Sequence, residues 1–170
     1  MDNSYFHVPL TNTVEYLTTD EIPTVVRKFV DIPMAEIPSA FDSTYAELMP
    51  VLAAEGIQPT GAAIALYHRP PADSATLEIG FPVDKALSAP VTTESGAVLE
   101  ASTLPGGQIA RVSHIGSYDA LAVAWEEFED EINSAGKHAA LPGWEIYMTE
   151  PTAEMDPSTF RTDLIIVVND

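Results

Sequence analysis

Gly143-Trp144-Glu145-Ile146-Tyr147-Met148 and Ala63-Ile64-Ala65-Leu66-Tyr67-His68, one run in each half of the chain, are the stretches on which the fold turns. Each is a short apolar run with a tyrosine in the fifth position, the pattern of a largely buried strand. Laid in one frame, the two differ where it matters chemically, because Glu145 stands where the first run has Ala65. A carboxylate facing an interior is costly unless something compensates it, so such a residue marks a candidate site.

Working outward, the two halves keep matching. Gly56 precedes Tyr67 by the same interval as Gly136 precedes Tyr147, and Pro71 and Pro151 follow the two tyrosines at equal distance. Ile37-Pro38-Ser39 and Ile115-Gly116-Ser117 open the amphipathic segments that end at those glycines, and Glu78-Ile79-Gly80-Phe81 answers Asp163-Leu164-Ile165-Ile166. Phe41, Tyr45, Leu48 and Leu52 share one helical face in the first segment, and Tyr118, Leu121, Trp125, Phe128 and Ile132 share one in the second. Ser39 with Asp42 suggests a capping box, and Gly56 a helix stop. Trp125 reads as core, and the run Glu126, Glu127, Glu129, Asp130 and Glu131 as a solvated helix face.

Strands are expected at 14–18, 24–30, 63–68, 75–81, 98–103, 108–114, 144–149 and 162–168, with a linker around 88–96. The fold class is therefore α+β: duplicated strand–helix–strand–strand modules with mainly antiparallel sheet, pseudo-twofold symmetry and a ligand groove between the repeats. The expected organisation is one domain over 13–170, with repeat one at about 13–87, repeat two at about 97–169, and an N-terminal extension at 1–12.

Composition narrows the function. Seven basic residues against 26 acidic ones leave a net charge of −19, which opposes contact with phosphate backbones and anionic lipid and suits a cationic small molecule. Direct nucleic-acid binding and membrane association are not expected. The absence of cysteine removes disulfides, thiolate metal sites and a cysteine nucleophile. The N-terminal residues lack the basic and apolar regions of a signal peptide, and the expected location is cytoplasmic. His7, His68, His114 and His138 have no metal-ligand spacing. No phosphate-binding loop or nucleophile elbow is present, so no metal and no cofactor are expected.

The order Ile115-Gly116-Ser117-Tyr118, Trp125-Glu126-Glu127-Phe128, Gly136, Gly143-Trp144-Glu145-Ile146-Tyr147-Met148-Thr149-Glu150-Pro151 and Phe160-Arg161-Thr162-Asp163-Leu164 resembles the GyrI-like superfamily. The first half fits through Ile32-Pro33-Met34-Ala35-Glu36-Ile37 and Gly80-Phe81-Pro82-Val83. These are effector-binding domains of bacterial transcription regulators, some standing alone. The resemblance implies the duplicated module, a ligand groove for small aromatic and cationic compounds, and a ligand contact by the glutamate matched by Glu145. One departure is Asp163, a shorter carboxylate where the family usually has glutamate.

Strand alternation puts Glu145, Tyr147 and Thr149 on one face and Trp144, Ile146 and Met148 on the other. The first face is expected to line the groove, and the second to pack on the helices. Candidate ligand-binding residues are Glu145, Tyr147, Tyr67, Tyr118 and Glu78. Three of them have a plainer reading: an ion pair to a basic residue or simple exposure for Glu145, core for Tyr118, and an edge or solvent position for Glu78. With these residues, the family resemblance implies three functions. The first is a stand-alone binding module for a hydrophobic or cationic small molecule, acting in transcription regulation or a multidrug and toxin response. The second is a hydrolase opening cyclopropane rings of DNA-alkylating natural products, with Glu145 as general base. The third is a gyrase-inhibitor-like module with a protein partner.

Overall fold

A computed structural model of the chain describes residues 4–6 and 8–170. His7 lies outside the described residues. The regular elements are β1 (Glu15–Thr19), β2 (Ile22–Pro33), α1 (Ile37–Glu55), β3 (Ile64–Tyr67), β4 (Ser74–Pro82), β5 (Val91–Thr92), β6 (Val98–Leu104), β7 (Gly107–Ile115), α2 (Leu121–Ser134), β8 (His138–Tyr147) and β9 (Arg161–Asn169). They form two compact units, one of residues 21–105 and one of 1–20 with 106–170. The fold is α+β with antiparallel pairing. No helix among the described residues is long and apolar enough to cross a membrane.

In the 21–105 unit the strands lie side by side as β3-β4-β2-β6-β5. Helix α1 buries Ala40, Thr44, Leu48 and Leu52, one residue round from part of the expected stripe. Phe41 and Tyr45 flank that face, with the Tyr45 ring 5.6 Å from Phe81 on β4. Leu48 and Leu52 meet Val25, Ile57, Val83, Leu87 and Leu99 in one apolar cluster. The expected capping box is not there. The helix starts at Ile37, helped by Pro38 in its first turn, where a missing N–H costs nothing. Ser39 is thus already inside it and donates its hydroxyl to the Glu36 carbonyl. Gly56 does end the helix, in the left-handed conformation at φ 68°. Gly80 is required by contact: a Cβ there would stand 1.9 Å from the Val25 carbonyl oxygen. Part of the expected linker forms β5, a two-residue strand on β6 too short to leave a periodic pattern.

In the other unit the order is β1-β7-β9-β8, so the strand of residues 15–19 pairs with β7. Phe128 and Ile132 of α2 pack with Ala110, Leu164, Ile166 and Val168, while Leu121, Ala124 and Trp125 border the same cluster. The acidic residues of α2 are exposed, the solvated face expected of them. Strand β8 begins six positions before the expected start, at His138, and its register to β9 shifts between Ala140 and Gly143. Pro142, which has no N–H to give the ladder, sits in that interruption. Both units contain strand–helix–strand–strand in the same pairing order, with β4 between β2 and β3 and β9 between β7 and β8.

Candidate functional site

Glu145 lies on β8 with only 5% of its surface exposed. Opposed residues on paired strands point to the same face, and the register of Glu145 with Leu164 puts it on the side that carries α2. The expected orientation is therefore reversed. The glutamate face packs beneath helix α2, where the Trp125 indole N–H donates to Glu145 Oε2 at 2.7 Å. A Cβ on Gly143, two residues back on the same face, would meet the Trp125 ring at 3.2 Å. The Trp144 face turns away from α2, and burial there raises the Tyr5 hydroxyl's proton affinity, partly offset by the nearby Trp144 indole. Alternation gave the right partition of residues 144–147 into faces, but it carries no information about which face the helix covers.

Tyr147 completes the carboxylate's surroundings by donating its hydroxyl to Glu145 Oε1 at 2.5 Å. Tyr118 stands in a short 3-10 turn, Tyr118–Ala120, ahead of α2. Its ring lies edge-on to Tyr147 at 5.8 Å and against Phe160 at 5.3 Å, and it remains 41% exposed. Thr149 does not extend the glutamate face, because β8 ends at Tyr147 and the Thr149 hydroxyl instead accepts the Arg161 backbone N–H. Glu145, Tyr147 and Tyr118 are thus brought together, with Trp125 as a fourth member.

Burial pushes the Glu145 carboxyl above its ordinary value; the bonds from Tyr147 and Trp125 and the charge of His114 pull it back only in part. Tyr118 is also raised, first by burial and then by the adjacent Glu145 charge. Among the described residues no lysine or arginine pairs with Glu145. Its two hydrogen-bond donors are neutral, which stabilises a carboxylate less than an ion pair does.

Glu78 and Tyr67 belong to the 21–105 unit, on opposite faces of its sheet, in register with Leu66 and Leu77 respectively. Glu78 is no edge or solvent carboxylate. It lies on a central strand, 3% exposed, bonded to His68 Nε2 at 2.5 Å and to the Ser102 hydroxyl. Tyr67 is half-buried at the end of β3. Asp163 is buried on β9 between Arg111 and Arg161, as a structural ion pair would be.

Sequence reasoning missed Trp125, whose apolar stripe suggested core alone. The available signal was its indole N–H, which needs an acceptor when buried, together with a strand carboxylate lacking a named partner. Among the described residues no cluster of three or more metal-ligating side chains occurs.

The GyrI-like small molecule binding domain model matches residues 30–169. The chain belongs to that family. This GyrI-like domain is thus a small-molecule-binding domain, and solved structures share its fold at low identity. The EcmrR C-terminal domain aligns with TM-score 0.68 and 17% identity over 92% of this chain and 97% of that one. SAV2435 bound to tetraphenylphosphonium aligns with TM-score 0.64 and 14% identity over 92% and 94%. A hydrolase from Listeria innocua aligns with TM-score 0.65 and 13% identity over 96% and 95%. No curated protein matches the chain by sequence.

Proposed function

We propose that this GyrI-like domain binds a hydrophobic organic cation at the Glu145 cluster and serves as an effector-sensing module in transcription regulation or a toxin response. The carrying observation is the carboxylate itself: buried, raised in proton affinity, and held by two neutral donors with no lysine or arginine partner among the described residues. An arriving cation supplies the missing counter-charge in a site of low dielectric. Tyr118, Tyr147 and Trp125 offer aromatic faces to the rest of the molecule. The resemblance to SAV2435, whose structure holds tetraphenylphosphonium, supports the choice of probe. Two cavities in the unit of residues 1–20 and 106–170 each hold about 140 Å³, below the several hundred Å³ of a typical small-molecule site. Neither is lined by Glu145. In this reading the ligand enters past half-exposed Tyr118 on its short turn.

Calorimetric titration with tetraphenylphosphonium tests the reading. The wild type is expected to bind, and Glu145→Gln to weaken binding at least tenfold while remaining folded. Equal affinity in the two proteins, or no heat with the wild type, overturns it. A second reading, hydrolysis with Glu145 as general base, draws on the same raised proton affinity, which moves a carboxylate toward neutral pH where such a base works best. The hydrolase among the structural neighbours supports it. Its signature is turnover of a cyclopropane-bearing alkylating substrate that disappears in Glu145→Gln.

A further inference from the structure

Beside Glu145 and Leu164, the next row across the sheet is Tyr147 on β8, Thr162 on β9 and His114 on β7. Because opposed residues share a face, all three side chains lie on the α2 side with Glu145. Thr162 is diagonal to Glu145, a relation that separates Cβ atoms by about 7 Å. It is 0% exposed, and its hydroxyl has no hydrogen-bond partner among the described residues. A buried hydroxyl left unpaired is a standing cost, and valine would fill nearly the same volume without it.

Most hydrogens of this cluster are already spent. Trp125 and Tyr147 donate theirs to the two oxygens of Glu145. His114 Nε2 lies 3.3 Å from the Ser117 carbonyl, which can only accept. What remains is mainly lone pairs: each Glu145 oxygen accepts one bond and can take another, and the Thr162 hydroxyl keeps both of its lone pairs beside its one unspent hydrogen. A site so composed is short of donors as well as of positive charge.

We infer that the ligand's cationic head carries N–H donors, as in a primary ammonium, amidinium or guanidinium group, and that Thr162 is the residue that selects it over a fully alkylated cation. This rests on the cation-binding reading of Glu145 and refines it. One N–H meets Glu145 and a second meets the Thr162 oxygen. A quaternary or phosphonium cation satisfies the charge and leaves that oxygen unpaired.

The test uses the full chain with naphthylmethylammonium and its trimethylated counterpart, which share ring and charge and differ in donors. The wild type is expected to favour the primary ammonium about tenfold. Thr162→Val is expected to lose most of that preference while its unfolding midpoint holds or rises, and Thr162→Ser, which keeps the hydroxyl, to retain the preference. A residue that merely packs would not couple lost selectivity to undiminished stability. Equal binding of the two cations by the wild type, or a preference surviving in Thr162→Val, sinks this inference and leaves Glu145 as a plain charge site. If neither probe nor tetraphenylphosphonium binds the wild type, the cation reading and the inference built on it fall together.

Discussion

Asp163 and Glu145 sit on neighbouring strands of one sheet, both buried, and face opposite ways. Asp163 is gripped by two guanidiniums. Arg111, itself 0% exposed, donates to its Oδ2 at 3.0 Å, and Arg161 bonds both oxygens at 3.0 and 2.9 Å. The same arginines reach back to the Val8 and Pro9 carbonyls, so this charge ties the N-terminal segment to the sheet. Among the described residues Glu145 accepts only from an indole and a phenol, with the His114 charge acting on it without a bond. A buried carboxylate with matched countercharge is part of the scaffold; one with neutral donors alone is held at a cost that structure by itself does not repay. In the 21–105 unit the position matched to Glu145 is Ala65, buried and apolar, so the strand does not need a carboxylate there in order to form.

The contrast breaks most visibly at Asp163. Asp163→Asn leaves Arg111 buried with only the half-exposed Glu15 as anionic partner among the described residues, and uncompensated charge of that kind costs about 3 kcal/mol or more. Urea unfolding should show that loss, whereas Glu145→Gln should show none near neutral pH. A mild effect at Asp163, below about 1 kcal/mol on the same scale, would mean the two carboxylates are not different in kind.

A smaller effect sharpens the other side of the comparison. Glu145 has a folded-state pKa raised above the ordinary value of 4.5, so the folded chain holds that proton to higher pH than the unfolded one. Its favourable contribution is complete below the ordinary value and is lost as pH rises through the raised one. Stability of the wild type relative to Glu145→Gln should therefore begin to fall as pH rises past about 4.5 and level off once the raised value is passed. Cation affinity should move the opposite way, strengthening with pH because the bound cation displaces the proton. Parallel stability curves for the two proteins would remove the uncompensated carboxylate from the account.

How much of this was legible beforehand depends on the range of the signal. Helix stripes, Gly56 as a stop and the strand runs are local patterns, and they read through with end errors of up to six residues and part of one stripe a residue off. Glu145 and Tyr147 as same-face neighbours follow from alternation alone. What failed were judgements about which element lies across from which, the α2 side of β8 and the burial of Glu78 beside His68 and Ser102, and no reading reached the interior place of Thr162. These depend on strand register and helix docking, which are long-range contacts. Thr162 and Asp163 are adjacent polar residues in one run, and nothing in that run says that one finds two arginines and the other no partner.

Trp125 provides the finest test, because it joins packing to charge. Its ring lies 5.7 Å from Phe128, and its N–H is one of two donors restraining the Glu145 proton affinity. Trp125→Phe keeps an aromatic ring and removes the donor, at an expected cost of about 1 kcal/mol in stability near neutral pH. If the indole serves only to pack, that loss is the whole effect. If it tunes the carboxylate, the pH at which tetraphenylphosphonium binding reaches half its maximum should also move upward, since less holds the charged form. Affinity at high pH, where the carboxylate is ionised in either protein, should change far less than affinity at low pH. A stability loss with an unmoved pH midpoint would return Trp125 to the apolar core that its helical spacing first suggested.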